Sequence, residues 1–200
     1  MHGFTMVLEV LSAPARPVLR PEDLMVHLNR EELAPGDATL LAGYVAAATR
    51  YIEKYTNRRL VTQDVRVRLD GFGCGINGPV FLPIGPVQSV LSIVYRDAAG
   101  VEHTLEPESY RLVLSRLPNE VVPVFGSTWP VPVAEPDSVA IALRVGYGDS
   151  PADVPDDITQ ALRLLVAQSD MQREAGSQAG EIIAAPWGVE ALLSGHKLWL

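Results

Sequence analysis

Cysteine is almost missing from this 200-residue chain: Cys74 is the only one. An internal disulfide framework is impossible, and a cysteine-based zinc site is not expected. The reducing cytoplasm is the expected compartment. Histidine is scarce too. His2, His27, His103 and His196 are scattered, and none forms a metal-ligand pair at helical spacing. Positive charge is short, with 16 Lys and Arg against 24 Asp and Glu and a net charge of -8. A surface that wraps nucleic acid needs clustered cations to displace counterions, so this balance argues against one. It fits a protein that DNA slides past without sticking. No apolar run approaches the ~20 residues of a membrane span. Residues Met1 to Pro17 lack the basic start and apolar core of a signal peptide. The catalytic signatures G-x-S-x-G, Walker loop and HExxH are absent. Neither an enzyme nor a cofactor is expected.

What remains is a chain rich enough in apolar residues, at 48%, to bury a core. Its organising stretch runs from Ser138 to Glu174: an alternating apolar segment, a tight Gly/Asp/Pro turn and an amphipathic segment from Ile158 to Met171. It predicts strand, loop and helix, with Asp156 and Asp157 favouring the positive end of the helix. Residues 1 to 19 predict an irregular, extended arm. A short helix is expected from Pro21 to about Asn29 or Arg30, since proline suits a first helical position.

Asp37, after Pro35 and Gly36, predicts an N-cap. The helix it opens, about 38–57, carries Leu41, Tyr44, Val45, Ala48, Tyr51, Ile52 and Tyr55 at three- and four-residue spacing. The tyrosines read as core packing with hydroxyls reaching the surface. From Leu60 the period drops to two: Val61, Val65, Val67 and Leu69 alternate with polar residues, a half-buried strand. Further strands are expected around 79–82, 88–96, 101–105, 109–114, 120–125 and 138–146, with a hairpin turn at Asp97–Gly100. Prolines 118, 123, 130, 132 and 136 predict edge strand or loop over 117–137.

Three features come near to chemistry. Gly73 to Gly78 matches G-x-G-x-x-G, but Pro79-Val-Phe-Leu-Pro83 follows it where a dinucleotide site needs a helix. A hairpin loop is the better reading. Asp149, Asp153, Asp156 and Asp157 read as a solvated, capping turn rather than a cation site. Trp129 either anchors a ligand or partner or covers one end of the sheet. Residues 175–186 have a flexible linker's composition, and an apolar tail follows. Trp187, Leu192, Leu193, Leu198, Trp199 and Leu200 are the expected partner-binding residues. Large apolar groups are costly to leave in water, at ~25 cal/mol per Å², so the tail either docks on another chain or folds back on its own. The linker's reach favours docking.

Strands grouped between helices, not alternating with them, predict an α+β fold: a helical core of long amphipathic helices, an inserted antiparallel β-sheet and flexible termini. The expected divisions are an arm at 1–19, a helical core at 20–59 and 151–174, a sheet region at 60–150 and a linker with docking segment at 175–200.

Several segments, in this order, carry a family resemblance: Ala47 to Gln63 (AATRYIEKYTNRRLVTQ), Leu82 to Val90 (LPIGPVQSV), Ile93 to Asp97 (IVYRD), Val145 to Asp149 (VGYGD) and Asp153 to Val166 (DVPDDITQALRLLV). Together they resemble the head–tail connector (adaptor) proteins of long-tailed phages, prophages and gene transfer agents, over roughly residues 20 to 195. The resemblance implies a structural protein with no catalytic residues. It implies a ring, usually of twelve copies, beneath the portal protein, extending the DNA channel and receiving head-closure or tail-side neck proteins. The helical part would build the ring and the C-terminal segment would reach toward the portal. The expected location is the cytoplasm of the producing bacterium, then the particle neck. The aromatic ending Leu198-Trp-Leu departs from the family pattern. The competing reading is a small cytosolic enzyme or ligand-binding protein using the glycine loop, Cys74 and Trp129; such a protein needs a deep pocket with convergent polar groups.

Overall fold

The structure, a computed structural model, describes residues 7–73, 77–174 and 187–199. It has two compact units, each assembled from separated stretches of chain. A sheet unit comes from residues 1–14, 62–146 and 198–200, and a helical unit from 15–61 and 147–197. The mixed α+β class expected from the order of elements is what is found.

Among its described residues the sheet unit contains eight strands: β1 (Val7–Ser12), β2 (Gln63–Leu69), β3 (Val80–Phe81), β4 (Val87–Arg96), β5 (Glu102–Thr104), β6 (Tyr110–Val113), β7 (Glu120–Pro123) and β8 (Val139–Val145). Five form one sheet in the order β1-β2-β8-β4-β5, and three a smaller one in the order β3-β7-β6. All the strand pairings are antiparallel. The two-residue period of β2 does what it predicts. Val65, Val67 and Leu69 are buried, while Asp64, Arg66 and Arg68 take the other face. Opposite β2, β8 sets Leu143 against Val65 and Ile141 against Val67, which builds the floor of the unit's core. Two register shifts in β4, at Val87/Ser89 and Val90/Ser92, bend that ten-residue strand. At the β4–β5 turn the Asp97 carboxylate accepts from the backbone N–H of Ala99 and Val101, at 2.8 and 3.0 Å. Gly100 supplies the left-handed φ of 79° there.

Two expectations are corrected here. Val7–Ser12, expected as an irregular arm, is an edge strand paired with β2, and Val18 and Leu19 are buried in the helical unit. The run Val-Leu-Glu-Val-Leu has no clean period of its own, and its partner lies more than fifty residues away. The proline-marked stretch also contains a central strand, β7. Pro123 is tolerated because β3 pairs only with Glu120 and Val121 and stops short of it.

Among its described residues the helical unit has three α-helices: α1 (Asp37–Thr56), α2 (Asp156–Glu174) and α3 (Trp187–Ser194). α1 buries Leu41, Val45, Ala48, Ile52 and Thr56, one stripe down its twenty residues. It ends in a left-handed C-cap at Asn57, φ 55°, whose N–H donates to the Glu53 carbonyl. α2 contributes Ile158, Ala161, Leu162 and Val166 to the same core. Met171, placed on that stripe by spacing, is instead exposed. Tyr44 and Tyr55 are half-buried against the core, and Tyr51 stacks on Tyr55 with ring centroids 6.2 Å apart. The expected helix from Pro21 is a single 3-10 turn, Pro21–Leu24, continuing as turns rather than helix to Asn29. Asp37 is not the N-cap. Gly36 holds that place at φ 93°, and the Asp37 carboxylate accepts from Arg30 Nη1 at 2.8 Å.

Candidate interaction surfaces and the C-terminal segment

α3 forms because Val189 and Leu193, four residues apart, share one face. Both are fully buried in the core that α1 and α2 build. Leu192 is half-buried against it. The chain after α3 is then tied down by polar groups. Arg58 Nε donates to the His196 carbonyl at 2.5 Å. His196 Nε2 lies 2.6 Å from Asp157 Oδ2, and Tyr147 Oη lies 3.4 Å from its Nδ1. The Lys197 ammonium sits 5.1 Å over the Tyr55 ring. Burial alone would raise the Asp157 carboxyl, yet the hydrogen bond and charge of His196 outweigh it and hold the group below its usual value. Burial raises the Tyr147 hydroxyl, with Arg58 opposing.

The six expected partner-binding residues therefore have different places. Leu192 and Leu193 belong to the chain's own helical core, so for these two the fold-back alternative describes the single chain. The physical reason is the i,i+4 pair with Val189, which completes an apolar stripe that α1 and α2 share. Leu198 is also buried. Trp199 is 72% exposed. Leu200 lies outside the described residues, and for Trp187 only its backbone position at the start of α3 is described.

Trp129, Asp153 and Asp157, among the near-chemical features, have structural contacts. Trp129 is buried, stacks on Phe72 with centroids 4.7 Å apart and planes 5° apart, and donates from Nε1 to the Gly78 carbonyl at 2.8 Å. It covers part of the sheet unit's core. Cys74 lies outside the described residues. Asp153 accepts from the Ser150 N–H at 2.9 Å, and Asp157 is engaged by His196. Among the described residues no group of three or more His, Cys, Asp or Glu is placed to hold a metal ion. An open, polar concavity of about 350 Å³ lies on the large sheet, bordered by Arg68, Tyr95, Arg96, Glu102 and Asp137. Its arginines already face carboxylates: Glu9 lies 3.6 Å from Arg68 and Glu135 3.5 Å from Arg96. Among the described residues no helix is long and apolar enough to cross a membrane.

Sequence reading missed Arg30. Its Nη1 donates to Asp37 and its Nη2 reaches both Asp170 carboxylate oxygens, at 2.9 and 2.7 Å, which joins the start of α1 to the last turns of α2. Asp170 is 6% exposed. One hint was available: Asp170 falls four residues beyond Val166 on the buried stripe of α2, where an unpaired carboxylate is not tolerated.

These features describe a class of protein: a mixed α+β chain of two units, with no metal-holding group of three or more His, Cys, Asp or Glu among its described residues. No family model matches the chain, and no curated protein matches it. Solved structures narrow the class. The chain is similar to one described as the neck of an empty gene transfer agent particle computed with C6 symmetry, at 28% identity and a TM-score of 0.75. It is similar to a chain from the virion of a native gene transfer agent particle, at 27% identity and a TM-score of 0.75. A third, from the neck of the native particle computed with C12 symmetry, matches at 26% identity and a TM-score of 0.71. Each alignment covers 97% of this chain and 96% of the other. The resemblance carried by the sequence segments thus extends to the fold over nearly the whole chain.

Proposed function

We propose that this chain is a structural adaptor in the neck of a phage-like particle, forming a ring under the portal that extends the DNA channel and joins head to tail. The observation that carries this reading is the shared fold with gene transfer agent neck chains over 97% of the sequence. Twelve- and six-fold symmetry in those neck structures supports a ring of copies, twelve being the number expected. The net charge of -8 supports a channel component that repels DNA rather than gripping it. The partners are further copies of this chain, the portal protein and the head-closure or tail-side neck proteins. The chain acts without a cofactor and is no enzyme. It is made in the bacterial cytoplasm and ends in the particle neck. Among the expected docking residues whose side chains are described, Trp199 is exposed and, with Leu200 and Trp187, is assigned to the portal contact.

The test is electron microscopy of particles from a producer lacking this chain. Filled heads without tails are expected, and tails restored by supplying the chain. Normally tailed particles in its absence would refute the reading.

A further inference from the structure

The loop between β6 and β7 is firmly held yet apolar at its surface. Asn119, 6% exposed, anchors it. Its Nδ2 donates to the carbonyls of Leu114 and Arg116 at 3.4 and 3.1 Å, and its Oδ1 accepts from the Val87 N–H at 3.4 Å. Arg116 Nη1 reaches the buried Glu120 carboxylate at 3.2 Å. A loop held at this many points loses little conformational freedom on binding. Leu114 and Leu117 nevertheless stand 54% and 69% exposed, and Phe81, opposite Glu120 in the small sheet, 53%. Ordered apolar residues grouped at one end of a sheet mark an interaction surface.

Charge identifies the occupant. Each copy carries -8, so copies repel one another at large, and a contact between them needs local complementarity. The exposed charges of this surface are basic: Arg116, 68% exposed, and Arg111 on β6. The helical unit offers the opposite. Val26, 94% exposed, sits on the turn after Pro21–Leu24, with exposed Glu22 before it, Asp23 paired with exposed Arg20 at 3.6 Å, and exposed Glu31 and Glu32 after it.

Resting on the ring reading, we propose that Phe81 and the 114–119 loop of one copy dock on the acid-flanked Val26 turn of the next copy. The two surfaces differ, so the contact is head-to-tail and repeats around a closed ring. It is tested in assembled particles with Leu117→Cys and Val26→Cys placed together in a Cys74→Ser chain. Both positions are exposed, so the substitutions spare the core. Mild oxidation is expected to give a ladder of linked copies well beyond a dimer on a non-reducing gel, while either single-cysteine chain gives none. A ring visible in micrographs of the same particles with no ladder, or with linkage stopping at dimers, overturns this contact and leaves the ring reading intact. Particles of the unaltered chain that show no ring overturn the ring reading, and this contact with it.

Discussion

Leu193→Ala and Trp199→Ala separate the two roles that the C-terminal segment combines. Leu193 has no exposed surface and lies in the core shared by α1, α2 and α3. Removing a fully buried leucine costs about 2–5 kcal/mol, through lost burial and the cavity left behind. A chain of this length shifts its midpoint by roughly 2–4 °C per kcal/mol. A loss of about 3 kcal/mol therefore predicts a Tm lower by roughly 6–12 °C. Trp199 is 72% exposed, and its replacement is expected to move stability by no more than about 0.5 kcal/mol. Under the proposed function, the same replacement should weaken capture of this chain by portal protein at least tenfold. The assay pairs a thermal melt followed by circular dichroism with a portal pull-down. If Leu193→Ala melts within about 2 °C of the parent, α3 is not part of the core and the reasoning fails. Unchanged capture by Trp199→Ala removes the exposed end from the docking site.

Two further outcomes follow from the polar contacts of the helical unit. Asp170→Ala leaves the Arg30 guanidinium, already mostly shielded, with Asp37 as its remaining carboxylate, and should cost about 1.5–3 kcal/mol in urea unfolding. A loss below about 0.5 kcal/mol would show the pair to be idle. Asp157 has a folded carboxyl value below its ordinary 3.8, so its contact with His196 adds stability above that value. The contribution is lost as pH falls through the lower folded value. The drop in urea midpoint between pH 6 and about pH 3 should therefore be smaller in His196→Ala than in the parent, and an equal drop in both would sink the assignment.

The elements readable in the sequence were those whose evidence is local. The α1 stripe and the alternation of β2 need only their own spacing, and the Asp97–Gly100 turn declares itself in four residues. What stayed hidden is settled by distant partners. β1 is a strand because β2 pairs with it. Asp37 fails as a cap because Arg30 takes its carboxylate. α3 packs as it does because Arg58 and Asp157, each well over thirty residues away, hold the segment that follows it. The same holds at the candidate surface: composition flagged an apolar ending, but only packing separates the buried Leu193 from the exposed Trp199.

Within the helical unit, Val61 bridges to Gly148, and the Tyr147 N–H donates to the Leu60 carbonyl at 3.2 Å. The two points where the chain leaves for the strands and returns are thus clasped side by side. Holding these two points together carries the entropy of closing the stretch between them, a cost that rises by only about 0.6 kcal/mol for each doubling of its length. An insertion in a surface turn of that stretch therefore adds little to the cost of bringing these two points together.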